Sequence, residues 1–114
     1  MGGRKVRRHA LDHTVGVGLV GAGFRFTGVL LDISTTGMLV RCAAQVEPGT
    51  IMRAGIEMGT EVLRVGVEAR RTTPGEGVGF KFNQMGSRDR QKLQLLLAQL
   101  AKSFSKRSIE SSIH

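Results

Sequence analysis

The chain has 114 residues, carries 17 Lys and Arg against nine Asp and Glu for a net charge of +8, and contains one cysteine, Cys42. That length supports one domain with a modest core, and a lone cysteine excludes an internal disulfide. The basic balance implies an anionic partner, without distinguishing a nucleotide, a nucleic acid or a membrane surface. No apolar run approaches the length of a bilayer span, and no apolar signal core follows the charged start, so the chain reads as soluble, unexported and cytoplasmic.

Residues 1–11 follow neither a helical nor a strand period and read as a flexible basic arm carrying Arg4, Lys5, Arg7 and Arg8. A solvated tail would look the same. Yet a guanidinium also offers paired in-plane donors to phosphate oxygens and a flat face on which a purine can stack. Met1-Gly2 does not make a myristoylation site, because Val6 stands where Ser or Thr is required. His9 and His13 have the four-residue spacing of helical metal ligands, but they straddle an arm and a strand with no Cys or acidic cluster beside them, so no metal site is expected.

Residues 13–19 alternate, with Val15, Val17 and Leu19 on one face, and predict a strand. Gly16-Val17-Gly18-Leu19-Val20-Gly21 matches the dinucleotide fingerprint G-x-G-x-x-G in letters only. That fingerprint works by presenting a helix N-terminus to pyrophosphate, and here another alternating segment, Phe24-Arg25-Phe26-Thr27, follows instead. Gly21-Ala22-Gly23 is therefore read as a hairpin turn.

Two apolar runs, Val29-Leu30-Leu31 and Met38-Leu39-Val40, flank Asp32-Ile33-Ser34-Thr35-Thr36-Gly37. The segment reads as a turn between buried strands: Asp32 and Ser34 can bond backbone two residues on, and Gly37 can take positive φ. Further strands are expected over residues 38–42, 51–58, 62–71 and 78–82, with Gly59-Thr60 as a type II′ hairpin turn. Six short antiparallel strands at regular spacing predict a barrel, which removes exposed edges. The period then changes. Ser87 is a candidate cap and Asp89 sits in the first turn, after which Leu93, Leu96, Leu97, Leu100 and Phe104 recur at helical spacing. The helix is expected to cover one end of the barrel, with Leu95 beside its main stripe, and residues 105–114 to form a disordered tail.

Arg4 and Arg8 in the arrangement R-x-x-x-R, one hairpin ahead of Asp32, Ser34 and Gly37 in D-x-S-x-x-G, resemble the PilZ family of cyclic di-GMP receptors. The late strand Gly77-Val78-Gly79-Phe80-Lys81-Phe82 also looks like a PilZ strand. The resemblance implies an all-β fold with a C-terminal helix: a six-stranded antiparallel PilZ-type barrel over residues 12–104, in a stand-alone member of the family. It further implies a cytoplasmic bacterial receptor or adaptor for cyclic di-GMP that acts on a downstream protein, with no cofactor, no metal and no catalysis. Asp32 and Ser34 would bond a guanine edge, since a carboxylate can accept from both the ring N–H and the exocyclic amine. Gly37 would keep the turn tight, and Arg4 and Arg8 would close over phosphates and bases. Lys5, Arg7 and Arg71 are further candidate contacts, enough cations for one ligand or an intercalated pair. Ligand binding would order the arm.

Two rival readings come from other classes. A small basic barrel could bind nucleic acid, but single-strand binders stack bases on exposed aromatics, whereas this chain has no Trp or Tyr and most of its five Phe fall at positions expected to be buried. A PilZ-like module used only for protein interaction is countered by the presence of both motif halves.

Overall fold

Alternating apolar and small or polar residues form seven strands before the helical period takes over: β1 (His9–Ala10), β2 (Gly16–Gly21), β3 (Phe24–Ile33), β4 (Gly37–Arg41), β5 (Ile51–Met58), β6 (Glu61–Thr73) and β7 (Gly77–Gln84), then α1 (Ser87–Ile113). The computed structural model describes the backbone of residues 9–10, 14–73 and 75–113, and the side-chain surroundings of residues 14–73 and 75–101. All pairings are antiparallel, in the order β3-β2-β5-β6-β7-β4, and β4 pairs back onto β3. The expected six-stranded antiparallel barrel with a C-terminal helix is therefore what forms, and its closure leaves no long open edge.

The fingerprint-like glycines lie in β2, paired on both sides with β3 and β5, and no helix follows them. At the far end of the β5–β6 hairpin, Met58 pairs with Glu61 around Gly59-Thr60. Gly59 has φ of 65° and Thr60 does not have positive φ, the sign pattern of the type II′ turn whose twist matches its flanking strands.

Inward residues fill the barrel with aliphatic side chains: Leu19, Ile33, Met38, Ile56 and Leu63 are each essentially inaccessible. Burying one such side chain contributes roughly 1.5–3 kcal/mol, so the interior rather than strand propensity holds the sheet closed. Leu93, Leu96 and Leu100 of α1 join the same cluster, with Leu97 at its margin. Gly86, not Ser87, occupies the cap position: its carbonyl accepts the first helical bond, from Arg90 N at 2.9 Å. Asp89 is used to dock the helix as well as to meet its dipole, accepting the Arg64 backbone N–H at 3.0 Å, while Lys92 Nζ donates to the Val62 carbonyl at 3.2 Å.

Three expectations are corrected. His9 and Ala10, assigned to the flexible arm, pair with Ile33 and Asp32, because β3 runs past the start of β2 and offers them an unoccupied edge. The helix does not end near Phe104 but continues to Ile113 through most of the expected disordered tail. Of the four Phe with described side chains only Phe80 is fully buried; Phe24 is 44% exposed and stacks on Phe26 with centroids 6.2 Å apart. The remaining arm residues, Arg4, Lys5, Arg7 and Arg8 among them, lie outside the described residues.

Candidate functional site

Two β-bulges decide which side chains reach the outer wall. Leu30 pairs with Val40 and Asp32 with Leu39, so Leu31 is an extra residue on β3. Leu30 is buried, and unbroken alternation from it would point Asp32 into the barrel and Ile33 out. The bulge reverses this: Ile33 is fully buried and Asp32 is half-buried on the outer face. β6 repeats the device. Ala69 pairs with Phe80 and Arg71 with Gly79, leaving Arg70 extra. Ala69 is inaccessible, so simple alternation would carry the Arg71 guanidinium into the core; with the bulge, both Arg70 and Arg71 are exposed. Thr72 then turns back inward, opposite buried Val78, and donates its hydroxyl to the Val46 carbonyl at 2.6 Å.

The register now aligns one row across five strands: Ala10 beside Asp32, Asp32 beside Leu39, Leu39 beside Gly79, and Gly79 beside Arg71. The neighbouring row, Ile33, Met38, Phe80 and Ala69, is the buried one, so the Asp32 row faces outward. At about 4.8 Å per strand, the Asp32 and Arg71 backbones stand roughly 14 Å apart along the wall. Next on the outer face come Gly37 and Lys81, directly paired. Because Gly37 and Gly79 carry no side chain, the wall beside the cations is low, and Leu39 stands between it and Asp32. An open basin of about 560 Å³ results, lined by Thr36, Gly37, Arg71, Gly79 and Lys81 with Arg70 at its side.

The turn that supplies one rim of the basin is braced from within. Ser34 is fully buried, and its hydroxyl accepts the N–H groups of Thr36 at 3.2 Å and Gly37 at 3.3 Å and lies 3.3 Å from the Gly37 carbonyl. Ser34 N donates to that same carbonyl at 2.9 Å. Its described role is thus to shape the turn. Gly37 is required for a different reason than the expected one. Its φ is not positive; rather, a Cβ there would run into the carbonyl oxygen of Phe80 on β7.

The basin's electrostatics are cationic. Arg70 Nη1 lies 3.6 Å from Glu68 Oε2, whereas among the described residues Arg71 and Lys81 make no ion pair. Cys42 lies outside the basin, and burial pushes its thiol above the ordinary range, partly offset by a backbone hydrogen bond at Ala44.

Of the sequence-predicted site residues, Gly37 and Arg71 line the basin, Asp32 stands on the same wall three strands from Arg71 and outside that lining, Ser34 lies beneath the wall, and Arg4, Lys5, Arg7 and Arg8 fall outside the described residues. Lys81, Gly79 and Thr36 were not anticipated. Their signal is the outward phase of residues 79 and 81 in β7, which acquires meaning only once β7 is known to sit between β4 and β6.

A closed antiparallel barrel with a basic, side-chain-poor basin on its outer wall, next to the point where an N-terminal strand joins the sheet, defines a ligand-binding module. The PilZ domain profile matches residues 4–99, and the chain belongs to the PilZ domain family. No curated protein matches it in sequence. Among solved structures, YcgR of Escherichia coli in complex with c-di-GMP is similar at a TM-score of 0.80 and 16% identity, over 95% of this chain and 50% of that one. The PilZ domain of CeSA from a cellulose-synthesizing bacterium gives 0.64 and 21%, over 83% of this chain and 98% of that one. The Bacillus subtilis inhibitor of motility MotI/DgrA gives 0.62 and 16%, over 96% and 53%. The chain thus spans about half the length of the YcgR chain in that complex and nearly all of the CeSA domain. No helix of the described residues is long and apolar enough to cross a membrane.

Proposed function

We propose that this chain is a cyclic di-GMP receptor that acts as a binding module rather than an enzyme. The observation that carries the reading is the outward row from Asp32 to Arg71, whose Asp32 end lies beside the strand that the basic arm leads into. Asp32 accepts from a guanine edge, and Arg71 and Lys81, farther along the same wall beyond Leu39, neutralise phosphate. Arg4 and Arg8 close from above; connectivity tethers Arg8 within one Cα step, about 3.8 Å, of His9, which is paired at the rim. Lys5 and Arg7 add charge for a second ligand molecule. Ordering of the arm is the output, read by a downstream protein in the cytoplasm, where a charged nucleotide messenger is confined. YcgR, similar in fold, was solved with c-di-GMP bound, which supports the choice of ligand.

Calorimetric titration with cyclic di-GMP, against GMP and cyclic di-AMP, tests the reading and gives the stoichiometry. A charge-assisted hydrogen bond is worth about 1.5–3 kcal/mol, so Arg8→Ala and Asp32→Ala are each expected to weaken binding about ten- to a hundredfold. The more exposed Arg71→Ala and Lys81→Ala should lose about tenfold or less, with a shallower salt dependence. Wild-type affinity in Arg8→Ala, with the barrel's circular dichroism unchanged, refutes the clamp.

A further inference from the structure

Farther along β6, the outer wall carries a second concavity. Gly18 of β2 pairs directly with Gly55 of β5, and one row over Gly66 of β6 pairs with Arg53. All three glycines stand at outward positions, between buried residues on either side. They line a trough of about 540 Å³ whose floor is open backbone at Gly18, with the Val62 side chain close over Gly55 and those of Asn83 and Gln84 close over Gly66. Two exposed apolar side chains, Val20 at 52% and Val62 at 38%, border it, together with the exposed Arg53 and Arg64. The one carboxylate in its lining, Asp89, is already engaged by Arg64 N and Lys92. Among the described residues, neither Arg53 nor Arg64 forms an ion pair.

We propose that this trough is a docking site for an acidic segment of a partner protein, which sets an apolar side chain on the glycine floor and flanking carboxylates against Arg53 and Arg64. The surface combines uncovered apolar area with unpaired cations, and the occupant must complement both. A second copy of this chain fits poorly, because two molecules of net charge +8 would bring like-charged rims together. Nucleic acid would use the arginines but leave Val20 and Val62 covered by nothing, and the trough offers no aromatic for base stacking. Trough and basin share no lining residue, and Gly66 and Arg71, both on β6, are five residues and about 16 Å apart. The proposal stands whether or not the basin binds a nucleotide.

The test is an amide-resolved NMR titration of the full chain with the capped peptide Asp-Glu-Leu-Asp-Val-Glu. One control peptide replaces Leu and Val by Gly, and another replaces the acids by Lys. Gly18→Ile projects a side chain into the trough from a position where no atom lies within 4 Å of a Cβ. The double variant Arg53→Glu, Arg64→Glu reverses the rim. Saturable shifts are expected at Gly18, Gly55 and Gly66, absent with the Lys peptide and weakened about tenfold or more by the Gly peptide and by either variant. The cyclic di-GMP response at Gly37 and Gly79 should be unchanged in both variants, so failure of one reading is distinguishable from failure of the other. Absence of shifts at the three glycines overturns the proposal, as does wild-type affinity in Gly18→Ile or equal binding by the Gly peptide. An oligonucleotide of equal charge that shifts the same amides more strongly would also overturn it and assign the face to nucleic acid.

Discussion

Gly37→Ala isolates the contact on which the basin's shape depends. A methyl at this position meets the Phe80 carbonyl oxygen, with Phe80 C at 3.4 Å and the Lys81 Cα at 3.5 Å behind it. All three are backbone atoms, so no rotamer change relieves the overlap. β4 can withdraw only by loosening the Gly37–Lys81 and Met38–Phe80 pairs, and the bond from Phe82 N to the Thr36 carbonyl at 2.8 Å resists that too. Forcing an extra carbon into a packed site costs about 1–3 kcal/mol. Reduced freedom of the unfolded chain returns about 0.4–1 kcal/mol, leaving a net loss of roughly 1–2 kcal/mol. For a domain of this size that lowers the melting temperature by on the order of 5–15 °C. Gly18→Ala makes the same chemical change in a strand interior with no atom within 4 Å, and serves as the control. Thermal unfolding followed by circular dichroism should separate the two, with Gly37→Ala destabilised and Gly18→Ala near wild type. Equal melting temperatures would show that β4 and β7 do not approach as closely as the basin requires.

Ser34→Ala removes the hydroxyl that accepts the Thr36 and Gly37 N–H groups in a buried turn, and urea titration should show a loss of about 1–3 kcal/mol. Asp89→Ala leaves Arg64 N without its acceptor and takes a negative charge from the first helical turn; hydrogen exchange at the Arg64 amide should accelerate, with a stability loss of about 1–2 kcal/mol. Burial raises the Cys42 pKa, so the folded state favours the neutral thiol. Iodoacetamide should therefore modify Cys42 more slowly at neutral pH in the folded protein than in urea. The thiol's contribution to stability is full below the unfolded thiol's pKa and is lost as pH rises through the folded value; equal rates in the two states would contradict the burial.

Much of the barrel was legible because its strands obey simple alternation with turn residues between them, as in the type II′ hairpin at Gly59-Thr60. The wall of the basin was not, because bulges break that alternation. Read as an unbroken strand, Leu63, Val65, Val67 and Ala69 lead Arg71 into the interior; only the slipped register against β7 brings it out. The outward position of Arg71 is thus set by a bulge that periodicity does not reveal. Lys81 shows the reverse case: its outward phase was readable, but nothing local says that β4 and β6 flank β7. β1 was missed because a two-residue strand has no period, and it exists only through the free edge that β3 presents beyond β2. The docking of α1 through Asp89 to Arg64 N is equally non-local, joining residues twenty-five apart.

The contacts of β1 make the output of the arm testable. His9 and Ala10 pair with Ile33 and Asp32 and also contact α1, so these two residues link the rim to the helix. A two-residue pairing is weakly held by itself, and short peripheral strands open readily. A ligand that bonds both the arm and Asp32 adds its binding energy to that pairing and, through it, to the seating of α1. Saturating cyclic di-GMP should therefore slow hydrogen exchange at Ala10 and along the part of α1 that touches β1. Val17, Ile56 and Leu63, deep in the barrel on β2, β5 and β6, should change little beyond any global stabilisation. Arg8→Ala should abolish the helical protection together with the binding. Protection confined to the basin, with exchange in α1 unaltered at saturation, would refute the link between arm and helix while leaving the binding site intact.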